Sequence, residues 1–85
     1  MRVPEITDAT VRPLDQWPVG TRGVLRAVRA AGPRRRRLAE LGFVPGAAVE
    51  VVGRGAGGLV VGVNADARVA IDRAGAEELW VAGHD

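Results

Sequence analysis

The chain has no cysteine, no serine, no lysine and no tyrosine, and its one histidine, His84, is the penultimate residue. Without cysteine there is no disulfide to staple the fold and no thiolate to hold a metal. Nucleophilic catalysis would fall to threonine or to a carboxylate with a base beside it, and acid–base work to Asp and Glu alone. That inventory argues against an enzyme. Long apolar runs are missing as well. The longest β-rich stretch, Leu59 to Val63, is broken by Gly62, far short of the roughly 20 apolar residues a membrane helix needs. The opening Met-Arg-Val-Pro-Glu-Ile-Thr-Asp has no apolar signal-peptide core, so the expectation is a cytoplasmic protein with no membrane span.

What remains is small, apolar and rich in arginine. The 85 residues have room for one domain. A core of this size supplies about 3–5 kcal/mol of net stability, so good packing or a partner must support it. All twelve basic residues are Arg, set against ten acidic ones, a formal charge of +2. A high isoelectric point follows from guanidinium, which does not titrate below about pH 12, more than from a large excess of charge. The distribution says more than the total. Gly20 to Gly46 holds seven Arg and only Glu40, whereas Ala47 to Asp85 holds three Arg and six acidic residues.

The apolar pattern predicts short strands with one helix among them. Gly23 to Ala30 has the β-branched content of a first strand, left through Gly32-Pro33. Pro33 suits a first helical position, and Arg34 to Leu41 are helix-compatible up to Gly42, a left-handed C-terminal cap. Leu38 and Leu41 are expected to share the buried face, with Phe43 folded back against them. Val49 and Val51 alternate with Glu50 in a second strand, ending at Gly53. Leu59 to Val63 and Val69 to Ile71 form a hairpin through Asn64-Ala65-Asp66. Ala74 to Glu78 makes one helical turn, and Leu79 to Ala82 a last strand facing Leu79 and Val81 inward. The expected fold is mainly β: a small closed barrel of about five strands with one short helix after the first strand. Its span is 14–82, with residues 1–13 a tail ordered in part at best and 83–85 a C-terminal tail.

The segment Arg37-Leu38-Ala39-Glu40-Leu41-Gly42-Phe43-Val44-Pro45-Gly46-Ala47-Ala48-Val49-Glu50-Val51 resembles the helix, Leu-Gly cap, Pro-Gly turn and second strand of the FeoA domain family, ferrous iron transport protein A. Leu14, Gly20 and Gly23, and later Val69-Ala70-Ile71, Ala76 and Val81, support the likeness. The resemblance implies an SH3-like barrel. It also implies an accessory protein of bacterial ferrous iron transport, whose partner is the FeoB-type membrane transporter with a cytoplasmic G-protein domain. The same barrel occurs at the C-terminus of metal-responsive repressors; a chain lacking a DNA-binding helical domain favours the stand-alone accessory form. Where many members carry a Pro- and Asp-containing segment, this chain has Gly53-Arg54-Gly55-Ala56-Gly57-Gly58, so no contact from that segment is carried over.

Five residues are candidates for partner binding: Arg34, Arg35, Arg36, Arg37 and Trp80. Four cations in a helix's first turn oppose its macrodipole, so helix stability does not account for them. They are read either as a solvated face in an Arg-preferring composition or as a surface for an acidic partner. Contact of the same Arg-rich helix with nucleic acid is the alternative function, although no aromatic ladder accompanies the charge. Arg36 and Glu40 are spaced to pair at i and i+4. Trp80, opposite Leu79 and Val81 on its strand, either faces solvent or lies under the segment carrying Trp17. The glycine run lacks the Lys-Ser/Thr and the following helix of a phosphate loop, and reads as a flexible link with Arg54 a mobile rim contact. Ferrous iron favours imidazole with carboxylate, and only His84 with Asp85, or Glu77 with Glu78, could contribute, so neither a metal site nor a cofactor is expected. The edge left by a short last strand could serve a second copy of the chain.

Overall fold

Alternating valines and leucines shape most of the chain, and each run pairs with its sequence neighbour or with the chain's other end. The computed structural model describes residues 11–84. In order these form β1 (Val11–Pro13), a 3-10 turn (Leu14–Gln16), β2 (Arg22–Val28), α1 (Gly32–Glu40), β3 (Ala48–Gly55), β4 (Gly58–Val63), β5 (Ala67–Asp72), α2 (Arg73–Glu78) and β6 (Leu79–His84). The strands make one antiparallel sheet in the order β1-β6-β2-β3-β4-β5. The fold is mainly β, as the alternation predicts, with six strands where five are expected. Residues 1–10 of the expected tail, and Asp85, lie outside the described residues.

Three further differences have physical causes. Among the described residues the sheet does not close on itself, because β1 and β5 do not pair. Instead α2 packs against β1, the 3-10 turn and β6 as well as against β4 and β5, with its Gly75 and Ala76 buried. The last strand is not an edge. It lies between β1 and β2, pairing Pro13 with Trp80 and Leu25 with Val81, which leaves β1 and β5 as the outer strands. Finally, the glycine run is strand rather than link: β3 and β4 pair as far as Gly55 with Gly58, around a two-residue turn, Ala56-Gly57.

Inward positions supply the core. Leu25, Val51, Val61, Leu79 and Val81 are buried from the sheet, joined by Leu14, Phe43 and Trp17 from its connections. Val69 packs against this cluster only in part. The helix enters it through Leu38 alone. At its C-terminus the Phe43 N–H bonds Leu38 C=O and the Gly42 N–H bonds Ala39 C=O, both at 2.9 Å, the paired closure of a left-handed cap. Gly42 has φ +105°, and an added Cβ would stand 2.9 Å from Val63 Cγ1. This closure seats Phe43 in the core and turns Leu41, the capping residue, outward. Leu41 is 40% exposed, contrary to its expected burial.

Candidate partner-binding surface

The four arginines of α1 divide into two pairs with different work. Arg34 Nε lies 2.6 Å from Glu78 Oε1, and Arg35 Nη1 donates to Val28 C=O at 2.9 Å. Arg34 ties α1, which buries a single side chain, to the end of α2, and Arg35 ties it to the end of β2. Glu78's hydrogen bond and charge raise the Arg34 guanidinium above its already high pKa, so the cation is permanent. Arg36 and Arg37 are exposed, and their side chains have no hydrogen-bond or ion-pair partner among the described residues. Arg36 does not pair with Glu40. The two ion pairs among the described residues are Arg34–Glu78 and a looser cross-strand contact, Arg22–Glu50, at 3.9 Å.

Trp80 is half-buried, and Trp17 does not cover it. Trp17 is buried elsewhere, its Nε1 donating to Val81 C=O at 3.2 Å and to Arg12 C=O at 3.3 Å, with the Arg12 guanidinium 4.6 Å from the ring centre. Over Trp80 lies Arg29, its guanidinium 4.5 Å from the ring centre, a cation–π contact. The Arg29 N–H in turn donates to Glu78 C=O at 2.7 Å. Glu78 therefore links the two parts of the predicted site, with Arg34 on its carboxylate and, through Arg29, Trp80 beyond its carbonyl. Arg29 does not stand out in the sequence, and Glu78 does so only as a possible metal ligand, since nothing local marks a contact between positions 44 or more apart.

Two grooves mark the surface. One, of about 960 Å³, runs over the outer face of β2 and β3 on small residues such as Val24, Ala48, Gly62 and Ala82, with Arg22, Arg26 and Glu50 around it. The other, of about 430 Å³, separates α1 from β5 and is lined by Arg34, Arg37, Leu38 and Leu41 on the helix side and Val69 to Asp72 on the strand side. Arg54, expected to be a mobile rim residue, is engaged: its guanidinium donates to Asp15 C=O at 3.1 Å and Trp17 C=O at 2.5 Å. Among the described residues no three His, Cys, Asp or Glu side chains are grouped as a metal would require, and no helix is long and apolar enough to cross a membrane. Asp85, one of the four possible metal ligands, lies outside the described residues.

Comparison with known proteins agrees with this architecture. An iron uptake regulatory protein, FeoA, known from a monoclinic crystal structure, superposes with TM-score 0.80 at 25% identity, covering 87% of this chain and 99% of its own. The zinc-complexed FeoA of Stenotrophomonas maltophilia, described as a prokaryotic SH3-domain protein, superposes with TM-score 0.70 at 32% identity, covering 80% of this chain and 86% of its own. The fold is thus SH3-like. A manganese-dependent transcriptional repressor also matches, with TM-score 0.80 at 25% identity over 87% of this chain but 37% of the repressor. A search of curated proteins finds no match. The FeoA domain model matches residues 12–83, nearly the whole of the described chain, and the chain belongs to the FeoA domain family.

Proposed function

We propose that this chain is a non-catalytic accessory protein of ferrous iron transport that docks, in the cytoplasm, onto the cytoplasmic part of an FeoB-type membrane transporter. A role in ferrous iron transport accords with the family and with the S. maltophilia neighbour, whose description connects it with ferrous iron transport activation. The observation that carries the docking reading is the division of labour in α1. Arg34 and Arg35 fasten the helix, which leaves Arg36 and Arg37 presented outward on a fixed support beside the half-exposed Leu41. Such a surface suits an acidic patch with an apolar centre. The nucleic-acid alternative loses support, because two of the four cations are spent within the molecule and one face of Trp80 is covered by Arg29.

The test is retention of the transporter's cytoplasmic domain on immobilised wild-type chain and on an Arg36→Glu/Arg37→Glu variant. Those two positions are preferable to the whole run, since Arg34 and Arg35 also hold the helix in place. Weaker retention by the variant is expected. Equal retention would remove α1 from the interface.

A further inference from the structure

The free edge of β5 faces the groove beside α1, and both the ladder and the groove bear on what could fill it. The Arg73 N–H bonds Gly57 C=O, and the Asn64 N–H bonds Ala48 C=O. Together with the registers of β3, β4 and β5, these bonds set the phase of the sheet: Ala67, Val69 and Ile71 exchange hydrogen bonds with β4. The intervening Arg68 and Ala70 therefore direct their N–H and C=O groups away from β4, and neither has a backbone or side-chain partner among the described residues. The other outer strand, β1, has three residues, one of them Pro13, and offers much less.

We propose that this groove accepts an extended acidic–apolar segment of the partner as an added strand on β5. The inference rests on the docking reading above and gives it a location and a mode. Unpaired edge groups give such a segment main-chain bonds, while side-chain complementarity selects its sequence. Leu38, the exposed part of Leu41, Val69 and Ile71 form an apolar floor for alternate side chains. Arg37 in the groove's lining and Arg68, next to that lining on β5, are exposed, and neither side chain has an ion-pair or hydrogen-bond partner among the described residues. Asp72, the acid in the lining, has one oxygen committed to the Gly75 N–H at the start of α2. The charge left for a ligand is positive, which calls for acidic residues alternating with apolar ones.

The experiment is a 15N NMR titration of the whole chain with the peptide acetyl-EVEVEV-amide, with its counterpart N-methylated at every residue, and with acetyl-KVKVKV-amide. The expected result is shift changes at Arg68, Ala70 and Leu41, slowed exchange of the Ala70 amide, and binding at least about tenfold weaker for the N-methylated peptide, which loses several hydrogen bonds. The lysine peptide should bind more weakly as well. Ala70→Pro should abolish binding while preserving the sheet, since that N–H donates nothing to β4. If this variant fails to fold, the N-methylated peptide decides alone. Equal binding of the methylated and unmodified peptides, no shifts at millimolar peptide, shifts confined to other strands, or a dimer that protects the same amides without peptide would each overturn the proposal. The two readings separate cleanly. If wild type and Ala70→Pro retain the transporter domain equally, the groove assignment fails and docking stands; if neither retains it although EVEVEV binds the groove, docking fails and the strand site stands.

Discussion

Arg34 Nε and Glu78 Oε1 lie 2.6 Å apart, joining the first turn of α1 to the end of α2 across 44 residues of sequence. The helix has little else to hold it: Leu38 in the core, the Arg35 contacts with Val28 and Ala30, and the cap at Gly42. Replacing Glu78 with Gln should loosen α1 selectively, since the backbone bond from Arg29 to residue 78 survives. Hydrogen exchange is the measurement. Amides from Leu38 to Phe43 should exchange faster in Glu78→Gln while those of Val51 and Val61 stay unchanged, and uniform protection would show that the ion pair does not hold the helix.

Trp17 closes one end of the core by donating to Val81 C=O and lying against Gly83, where an added Cβ would stand 3.0 Å from indole Cε2 and 2.8 Å from Thr21 Cγ2. Gly83→Ala should therefore cost about 1–3 kcal/mol through overpacking. Trp17→Ala should cost about 3–5 kcal/mol, the usual loss for an emptied aromatic site. Urea unfolding followed by circular dichroism checks both. A neutral Gly83→Ala would mean that the ring shifts freely.

Thr21 is 2% exposed, and its hydroxyl has no hydrogen-bond partner among the described residues. Thr21→Val keeps the shape and removes the unpaired oxygen. The expected change runs from none to about 1 kcal/mol of added stability, because a buried donor left unmatched costs free energy. A loss of stability on the same urea assay would reveal a partner for the hydroxyl.

Asn64 and Ala65 have φ of +53° and +64° in the turn between β4 and β5, closed by the Asp66 N–H on Val63 C=O at 3.2 Å. Asn64 tolerates this region and its Oδ1 accepts the Ala48 N–H; Ala65 has no such compensation. Ala65→Gly should add about 1 kcal/mol, or raise Tm by about 4–8 °C in a domain of this size. Calorimetry of the two proteins decides it, and an unchanged Tm would mean that the turn relaxes away from the left-handed region.

The sequence by itself makes most of the strands in outline, the long helix and its cap legible through local chemistry: period-two valines, Pro33 at a helix start, Gly42 where φ must be positive, Asn64-Ala65-Asp66 at a hairpin; β1, in the expected tail, and the pairing of the glycine run are not legible there. It also named the arginine run and the FeoA resemblance. Tertiary structure alone decided what those parts do. Leu41 was expected inside, yet the cap places Phe43 there instead. Arg34 and Arg35 became fastenings because Glu78 and Val28 arrive from distant elements, and Arg54 found two carbonyls of the 3-10 turn region. The strand order, which buries β6 and leaves β5 open, follows from pairings between chain ends and cannot be read from periodicity. Local propensity acts over a few residues, while edges, grooves and ion pairs depend on which distant residues are brought together, and only the packed chain specifies that.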